Sequence, residues 1–312
     1  MENYAEKIAS LKKEKNAIIL AHYYQTGDIQ DIADYVGDSL ALAQKAAAAK
    51  SEIILFAGVK FMAETAKILS PSVKVLLPDL AAGCSLSDSC KPEDFRRFLD
   101  KNPGRTVITY VNTSAEIKAM SDIICTSSNA VKIVESLPAN EKIIFAPDRN
   151  LGNYIINKTG REMLVWNGAC HVHEEFSLEA ILELRKQNPG CKLIVHPECE
   201  LPIRMIADFI GSTSALLSYV IKDNSLSYIV ATEPGIIYQM VKAKPEKTFI
   251  PAPPRDSTCA CSECNFMKLI TVKKIYETLL TENPEITLSG ELIEKAARPI
   301  RRMLEISERL GL

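Results

Sequence analysis

Short apolar runs recur along this chain at a regular distance, each ending on a polar ring and each followed by stretches of helical periodicity. The first set reads Ala17-Ile-Ile-Leu-Ala-His22, Val107-Ile-Thr-Tyr110 and Leu193-Ile-Val-His196. These runs are too short for buried helices and rich in β-branched residues, the pattern of strands buried in a parallel sheet. A second set, Ile53–Ala57, Ile143–Ala146 and Tyr228–Ala231, precedes a Gly- or Pro-containing turn and a helical stretch. A third set is predicted at Val73–Leu77, Met163–Trp166 and Thr248–Ile250.

The order is the same in three segments that start near Asn16, Arg105 and Cys191, so the chain carries three internal repeats. The ring-to-hydroxyl distance supports this: His22 to Ser39, Tyr110 to Ser127 and His196 to Thr213 are each 17 residues apart. Beyond each third strand comes cysteine, as Gly83-Cys84, Gly168-Ala-Cys170 and the group Cys259, Cys261 and Cys264. Each repeat thus offers a ring-bearing loop, a hydroxyl near a helix start and at least one cysteine.

The predicted fold class is α/β, with three similar three-layer α/β/α domains on short parallel sheets, arranged with pseudo-threefold symmetry around a central cavity. The domains are expected at residues 1–84, joined by C-terminal helices 267–312, at 85–170 and at 171–266. Ligand sites in open α/β sheets lie beyond the carboxyl ends of the strands, which would bring the loops of all three repeats to that cavity. Further helices are predicted at Ala5–Glu14, Lys91–Leu99, Glu174–Gln187, Met267–Leu279 and Ser289–Leu310. Pro92 suits a first helical turn, whereas Pro299 is expected to kink or divide the last helix.

Composition narrows the function. A net charge of -2 and a pI near 6.2 lack the basic excess of a nucleic-acid binder. No apolar run approaches the roughly 20 residues that span a bilayer. The N-terminal Met-Glu-Asn-Tyr-Ala-Glu-Lys lacks the apolar centre of a signal peptide, so a cytoplasmic protein with small-molecule partners is expected. Nine cysteines, an odd count in a reducing compartment, argue for metal or redox chemistry over a disulfide framework.

Three thiolates at one point can hold three irons of a 4Fe-4S cluster and leave the fourth without a protein ligand, open to act as a Lewis acid. Ferredoxin spacing is absent, and Cys261-Ser-Glu-Cys264 read alone fits a zinc half-site or a redox pair as well. Cys90, Cys125, Cys191 and Cys199 are expected to be small buried hydrophobes.

The motifs His22-Tyr-Tyr24-Gln, Gly58-Val-Lys-Phe-Met-Ala-Glu64-Thr-Ala-Lys67, Gly83-Cys84-Ser-Leu, Tyr110-Val-Asn112, Cys125-Thr-Ser127-Ser-Asn-Ala, His196-Pro-Glu198-Cys, Gly211-Ser-Thr213-Ser and Cys264-Asn-Phe-Met-Lys268 occur in that order over essentially the whole chain. Together they resemble the quinolinate synthase family. The resemblance implies condensation of iminosuccinate with dihydroxyacetone phosphate to quinolinate, with release of phosphate and two waters, in NAD biosynthesis. It further implies a 4Fe-4S cluster on Cys84, Cys170 and Cys264 with one open iron, and functional coupling to L-aspartate oxidase or aspartate dehydrogenase. Cys259 and Cys261 resemble family cysteines that are not ligands.

By the same resemblance His22, Ser39, Tyr110, Val111, Asn112, Ser127, His196, Pro197, Glu198 and Thr213 bind substrate. Hydroxyls and backbone N–H groups at helix starts suit the anionic ends of both substrates. His22, His196 and Glu198 are expected to move protons, Tyr24 and Tyr110 to orient or protonate the dihydroxyacetone moiety, and His173, unlike His171, to face the cavity. Phe61-Met62 and Phe266-Met267 are expected in the core, and Glu64 with Lys67 as a solvated pair. Two rivals stand beside this reading: a zinc-stabilised dicarboxylate-binding protein, and a cluster-dependent hydro-lyase for another small acid.

Overall fold

The computed structural model describes residues 4–256 and 262–312; Cys259 and Cys261 lie outside the described residues. The first repeat supplies β1 (Ala17–His22), β2 (Tyr35–Gly37), β3 (Ile53–Ala57) and β4 (Lys74–Leu76). The second supplies β5 (Thr106–Tyr110), β6 (Ile123–Cys125), β7 (Ile143–Ala146) and β8 (Met163–Val165). The third supplies β9 (Lys192–Val195), β10 (Phe209–Ile210), β11 (Ser227–Ala231) and β12 (Thr248–Pro251). Each set forms its own parallel sheet, in the orders β2-β1-β3-β4, β6-β5-β7-β8 and β10-β9-β11-β12. The predicted α/β class and parallel sheets are as expected.

Each sheet has one strand more than the apolar pattern predicts. The additional edge strands β2, β6 and β10 are only two or three residues long, too short to register as apolar runs. Each follows an aspartate at an equivalent position. Asp34, Asp122 and Asp208 accept the backbone N–H of Ile19, Val107 and Leu193 through Oδ2, at 2.7, 2.8 and 2.7 Å. Their own N–H groups donate back to the carbonyls of the same three residues. This reciprocal clasp starts a ladder that strand propensity alone would not hold; a hydrogen bond to a charged group contributes about 1.5–3 kcal/mol.

Alternation along the strands builds the layers. In the third sheet Leu193, Val195, Ile229 and Ala231 point into one core, and Ile194, Tyr228 and Val230 into another on the opposite face. The first two sheets share a larger core that also takes in the C-terminal helices. Helix Gly290–Arg309 packs on helices Lys60–Leu69 and Ala115–Ala119 and on β6, bridging two repeats. It remains one helix through Pro299, which is not divided as expected: Pro299, Ile300, Met303 and Ile306 are buried on one face. Core packing there outweighs the proline penalty of about 3 kcal/mol.

Side-chain caps reset the bounds of two predicted helices. Glu174–Gln187 starts later than expected, as Leu178–Gln187 behind the short helix His171–Glu174, because the Ser177 hydroxyl accepts the Ala180 N–H and starts a new helix. Met267–Leu279 becomes Asn265–Lys268 and Val272–Thr281, with Thr271 capping in the same way. Pro92 opens helix Pro92–Asp100 as expected. Among the described residues no helix is long and apolar enough to cross a membrane.

Candidate active site

In each sheet the chain leaves the first strand for the edge on one side and returns to the other, so the carboxyl end of that first strand is a topological switch point. His22 and Tyr110 end β1 and β5, and His196 directly follows β9. All three rings line one cavity of about 60 Å³. The hydroxyl residues Ser39, Ser127 and Thr213 line it too, as do Cys84, Cys170 and Cys264. The residues two positions after each ring, Tyr24, Asn112 and Glu198, complete the strand-end set, joined by His173. Val111 and Pro197 are buried but do not line it.

The three hydroxyl residues are not the caps of their helices. Asp38 caps Ser39–Ala47, Ser212 caps Thr213–Lys222, and Asn129 occupies the cap position of Ala130–Glu135. Ser39 and Thr213 therefore open their helices while Ser127 sits in the turn before one, and capping does not consume their hydroxyls.

Each of the three cysteines is the cap residue of a four-residue helix: Cys84 for Ser85–Asp88, Cys170 for His171–Glu174 and Cys264 for Asn265–Lys268. Burial pushes the Cys84 thiol up to about 12, with backbone N–H groups of Ser87 and Leu86 opposing the shift and Cys264 and Glu198 adding to it. Burial also raises Cys170 and Cys264, and Glu198 and Cys84 raise Cys170 further. Thiols of this kind ionise only when a cation compensates them, which is the state in which cysteine ligates metal. Among the described residues, Cys170, His173 and Glu198 form a metal-ligating set whose ligand atoms all lie within 4.8 Å of one another.

Hydrogen bonds tie the repeats together across the cavity. Tyr110 Oη donates to Glu198 Oε1 at 2.5 Å. Tyr24 Oη lies 2.9 Å from Thr213 Oγ1 and 2.8 Å from Thr232 Oγ1, which in turn lies 3.0 Å from His173 Nε2. His173 Nδ1 is 3.2 Å from Glu198 Oε2 but not aligned for a hydrogen bond. This nitrogen and Asn112 Oδ1 are buried and unpartnered, so the cavity holds polar atoms shaped for a polar ligand.

His22 and His196 share one arrangement. His22 Nδ1 accepts from Tyr24 N at 3.2 Å and His196 Nδ1 accepts from Glu198 N at 3.3 Å, which places the proton of each neutral ring on Nε2. Burial lowers His22 to about 4, against the charges of Asp38 and Glu198, and lowers His196 to about 3. Glu198 goes the other way: burial opposes its charge, yet His173 and His196 beside it hold it at about 2. Near neutrality the site therefore combines two neutral imidazoles with one carboxylate. Burial raises Tyr24 and Tyr110 well above the phenol range, so both remain protonated donors.

A stability prediction follows from the His22 shift. Between about pH 6.5 and 4 the unfolded chain binds a proton at this position and the folded chain does not, so the contribution is complete above that window and is lost as pH falls through it. For a pKa lowered from 6.5 to about 4 the loss is about 3 kcal/mol. Urea unfolding of metal-free protein at both ends of the window should show this loss in wild type and a smaller one in His22→Asn. Equal losses would mean that His22 is not held neutral by the fold.

Four further residues belong to the site without a signal in the sequence: Asp38, Thr126 and Glu233 line the cavity, and Thr232 stands behind it, bonded to Tyr24 and His173. Glu233 Oε1 pairs with Lys268 Nζ at 2.7 Å, and Lys268 Nζ donates to the Tyr24 carbonyl at 2.8 Å. A Cβ at Gly235 would meet the Tyr24 backbone at 2.8 Å, so this contact between the first and third repeats requires glycine. Asp148 and Glu233 follow the second strands β7 and β11 at equivalent positions, and both bond the backbone of their own cysteine loops.

Phe61, Met62 and Met267 are in the core as expected and also line the cavity. Glu64 and Lys67 are not a solvated pair: Glu64 is buried and accepts the Ala115 N–H at 3.0 Å, while Lys67 bridges to Glu285 at 3.2 Å. His171 lies outside the lining and meets Ser85 Oγ at 2.7 Å. Cys90, Cys125, Cys191 and Cys199 are buried, as expected.

Comparison with known proteins agrees with the geometry. The sequence profile described as quinolinate synthetase A protein matches residues 6–305. A quinolinate synthase of Synechococcus sp. is 59% identical over 300 residues, covering 96% of this chain and 94% of the relative. That of Microcystis aeruginosa is 60% identical with the same coverage. That of Chloroherpeton thalassium is 55% identical over 303 residues, covering 97% and 94%.

Proposed function

Because this chain belongs to the quinolinate synthetase A protein family, we propose that it forms quinolinate from iminosuccinate and dihydroxyacetone phosphate, releasing phosphate and two waters, as a step of NAD biosynthesis in the cytoplasm. The observation that carries this reading is the convergence of nine equivalent residues, a ring, a hydroxyl and a cysteine from each repeat, on one cavity with unpartnered buried polar atoms. Pseudo-threefold packing of domains 1–84, 85–170 and 171–266 is the arrangement that accounts for it.

Cys84, Cys170 and Cys264 are proposed to hold a 4Fe-4S cluster. Three thiols raised by burial on one cavity wall suit a centre whose positive charge ionises all three. When bound, the cluster supplies a Lewis-acidic iron that has no protein ligand.

The protein's own groups divide the remaining work. The hydroxyls and first-turn N–H groups of Ser39 and Thr213, with the Ser127 turn and Asn112, hold the anionic ends of the substrates. Glu198, charged and desolvated, accepts carbon-bound protons at Oε2 while Tyr110 fixes Oε1. His22 and His196 hold substrate oxygens by hydrogen bonds from Nε2–H, and the proton that Glu198 takes from carbon returns to the departing oxygen, so that each dehydration balances. Tyr24, held by Thr213 and Thr232, orients the dihydroxyacetone moiety. Buried walls exclude bulk water during two dehydrations. The reaction is redox-neutral, so the site needs acid, base and Lewis acid but no electron carrier.

Anaerobically prepared protein given both substrates should release quinolinate and phosphate in equal amounts; absence of quinolinate would refute this reading. A second reading rests on Cys170, His173 and Glu198, a mixed set that resembles catalytic zinc ligation. Metal analysis separates the two.

A further inference from the structure

The three hydroxyl positions are equivalent, but the residues beside them are not. The residue before each is Asp38, Thr126 or Ser212, and the residue after is Leu40, Ser128 or Ser214. Only the first repeat carries a carboxylate before its hydroxyl, and only the other two carry a second hydroxyl after theirs. The broken symmetry is used at one point. Asp38 Oδ2 accepts Ser128 Oγ at 2.7 Å and Ser214 Oγ at 2.6 Å, while Oδ1 accepts the Ala41 N–H of its own helix at 3.1 Å.

One buried carboxylate thus takes donors from all three repeats, across sequence separations of 90 and 176 residues for the two serines. Each bond sits one residue away from a cavity-lining hydroxyl: Ser39 follows Asp38, Ser127 precedes Ser128, and Thr213 precedes Ser214. Hydrogen bonds to an ionised acceptor are the strong ones, and three of them leave the carboxylate little capacity for a further donor. Asp38 is therefore suited to fix the distances among the three hydroxyls, not to act on substrate.

We propose that Asp38, through Ser128 and Ser214, is the positioning residue of the dicarboxylate subsite, setting the spacing of Ser39, Ser127 and Thr213 to that of a four-carbon dicarboxylate. This rests on the reading of the cavity as a dicarboxylate site. Asp38→Ala removes a helix cap as well and can fail to fold, so the informative variants are Ser128→Ala, Ser214→Ala and their combination, with Ser214→Thr retaining the hydroxyl.

The test is succinate binding by calorimetry on anaerobically prepared holoenzyme, with steady-state kinetics and the visible absorption of the cluster measured on the same samples. The double variant should bind succinate about tenfold or more weakly, from loss of two charge-assisted bonds. Its KM for iminosuccinate should rise by a similar factor, with kcat and the absorption little changed. Ser214→Thr should restore most of the binding. Wild-type protein that fails to bind succinate would overturn the dicarboxylate reading and this inference with it. Equal binding by wild type and double variant, or a loss of kcat at unchanged KM, would overturn the inference alone.

Discussion

Cys84→Ala, Cys170→Ala and Cys264→Ala should each yield protein without the visible absorption of an iron-sulfur cluster and without quinolinate-forming activity. Each cysteine occupies the cap position of its own four-residue helix at the cavity wall, and its sulfur accepts only N–H groups of that same short helix. Removing one sulfur should therefore leave the fold intact while depriving the centre of a ligand, since buried thiols raised by burial gain their charge only by holding metal. Cys90 is the control: it is equally a free cysteine but lies in a core with Phe95, Val107 and Ile144. Cys90→Ala should cost stability of about 1–2 kcal/mol and leave cluster and turnover intact. Equal loss in all four variants, read from iron content and absorption, would show that the ligand set is misassigned.

Glu198→Gln should lower kcat by about 10²–10⁴-fold, the range for loss of a general base, with cluster absorption retained. Glu198 is 2% exposed and faces Tyr110, His173 and His196 at once. Glutamine keeps the shape and one acceptor oxygen, so packing should survive, but it neither accepts a proton nor provides the charge. If the variant retains kcat and changes only KM, Glu198 is a binding group and the proton acceptor lies elsewhere, His22 and His196 being the next candidates.

The parts of this site that the sequence makes legible are those that recur. A ring at the end of a buried strand, a hydroxyl 17 residues on and a cysteine after the third strand recur in all repeats, and the structure brings all nine residues to one cavity. The edge strands were less visible because two or three residues carry no periodicity, yet a signal existed: Asp34, Asp122 and Asp208 each stand 12 residues after the ring. Such an aspartate clasps the strand start rather than facing solvent, a role its residue type alone does not announce. The helix caps at Ser177 and Thr271 were likewise present as residues but overruled by apolar periodicity that continues past them.

Asp38, Thr232 and Glu233 were hidden for a different reason. Their partners come from other repeats or from the distant C-terminal segment, as with Asp38 and Ser214 or Glu233 and Lys268, and such pairing depends on how the sheets sit together. Glu64 shows the same limit in reverse, since an acidic residue beside Lys67 at helical spacing looks solvated until the second repeat packs over it.

Dependence of the reaction on a cluster is tested most directly by the rate of quinolinate formation measured against metal content across anaerobic preparations reconstituted to different extents. The rate is expected to be proportional to iron, extrapolating to full activity at about four irons per chain and to none in metal-free protein. A colourless preparation with one zinc per chain that forms quinolinate at full rate would contradict that dependence.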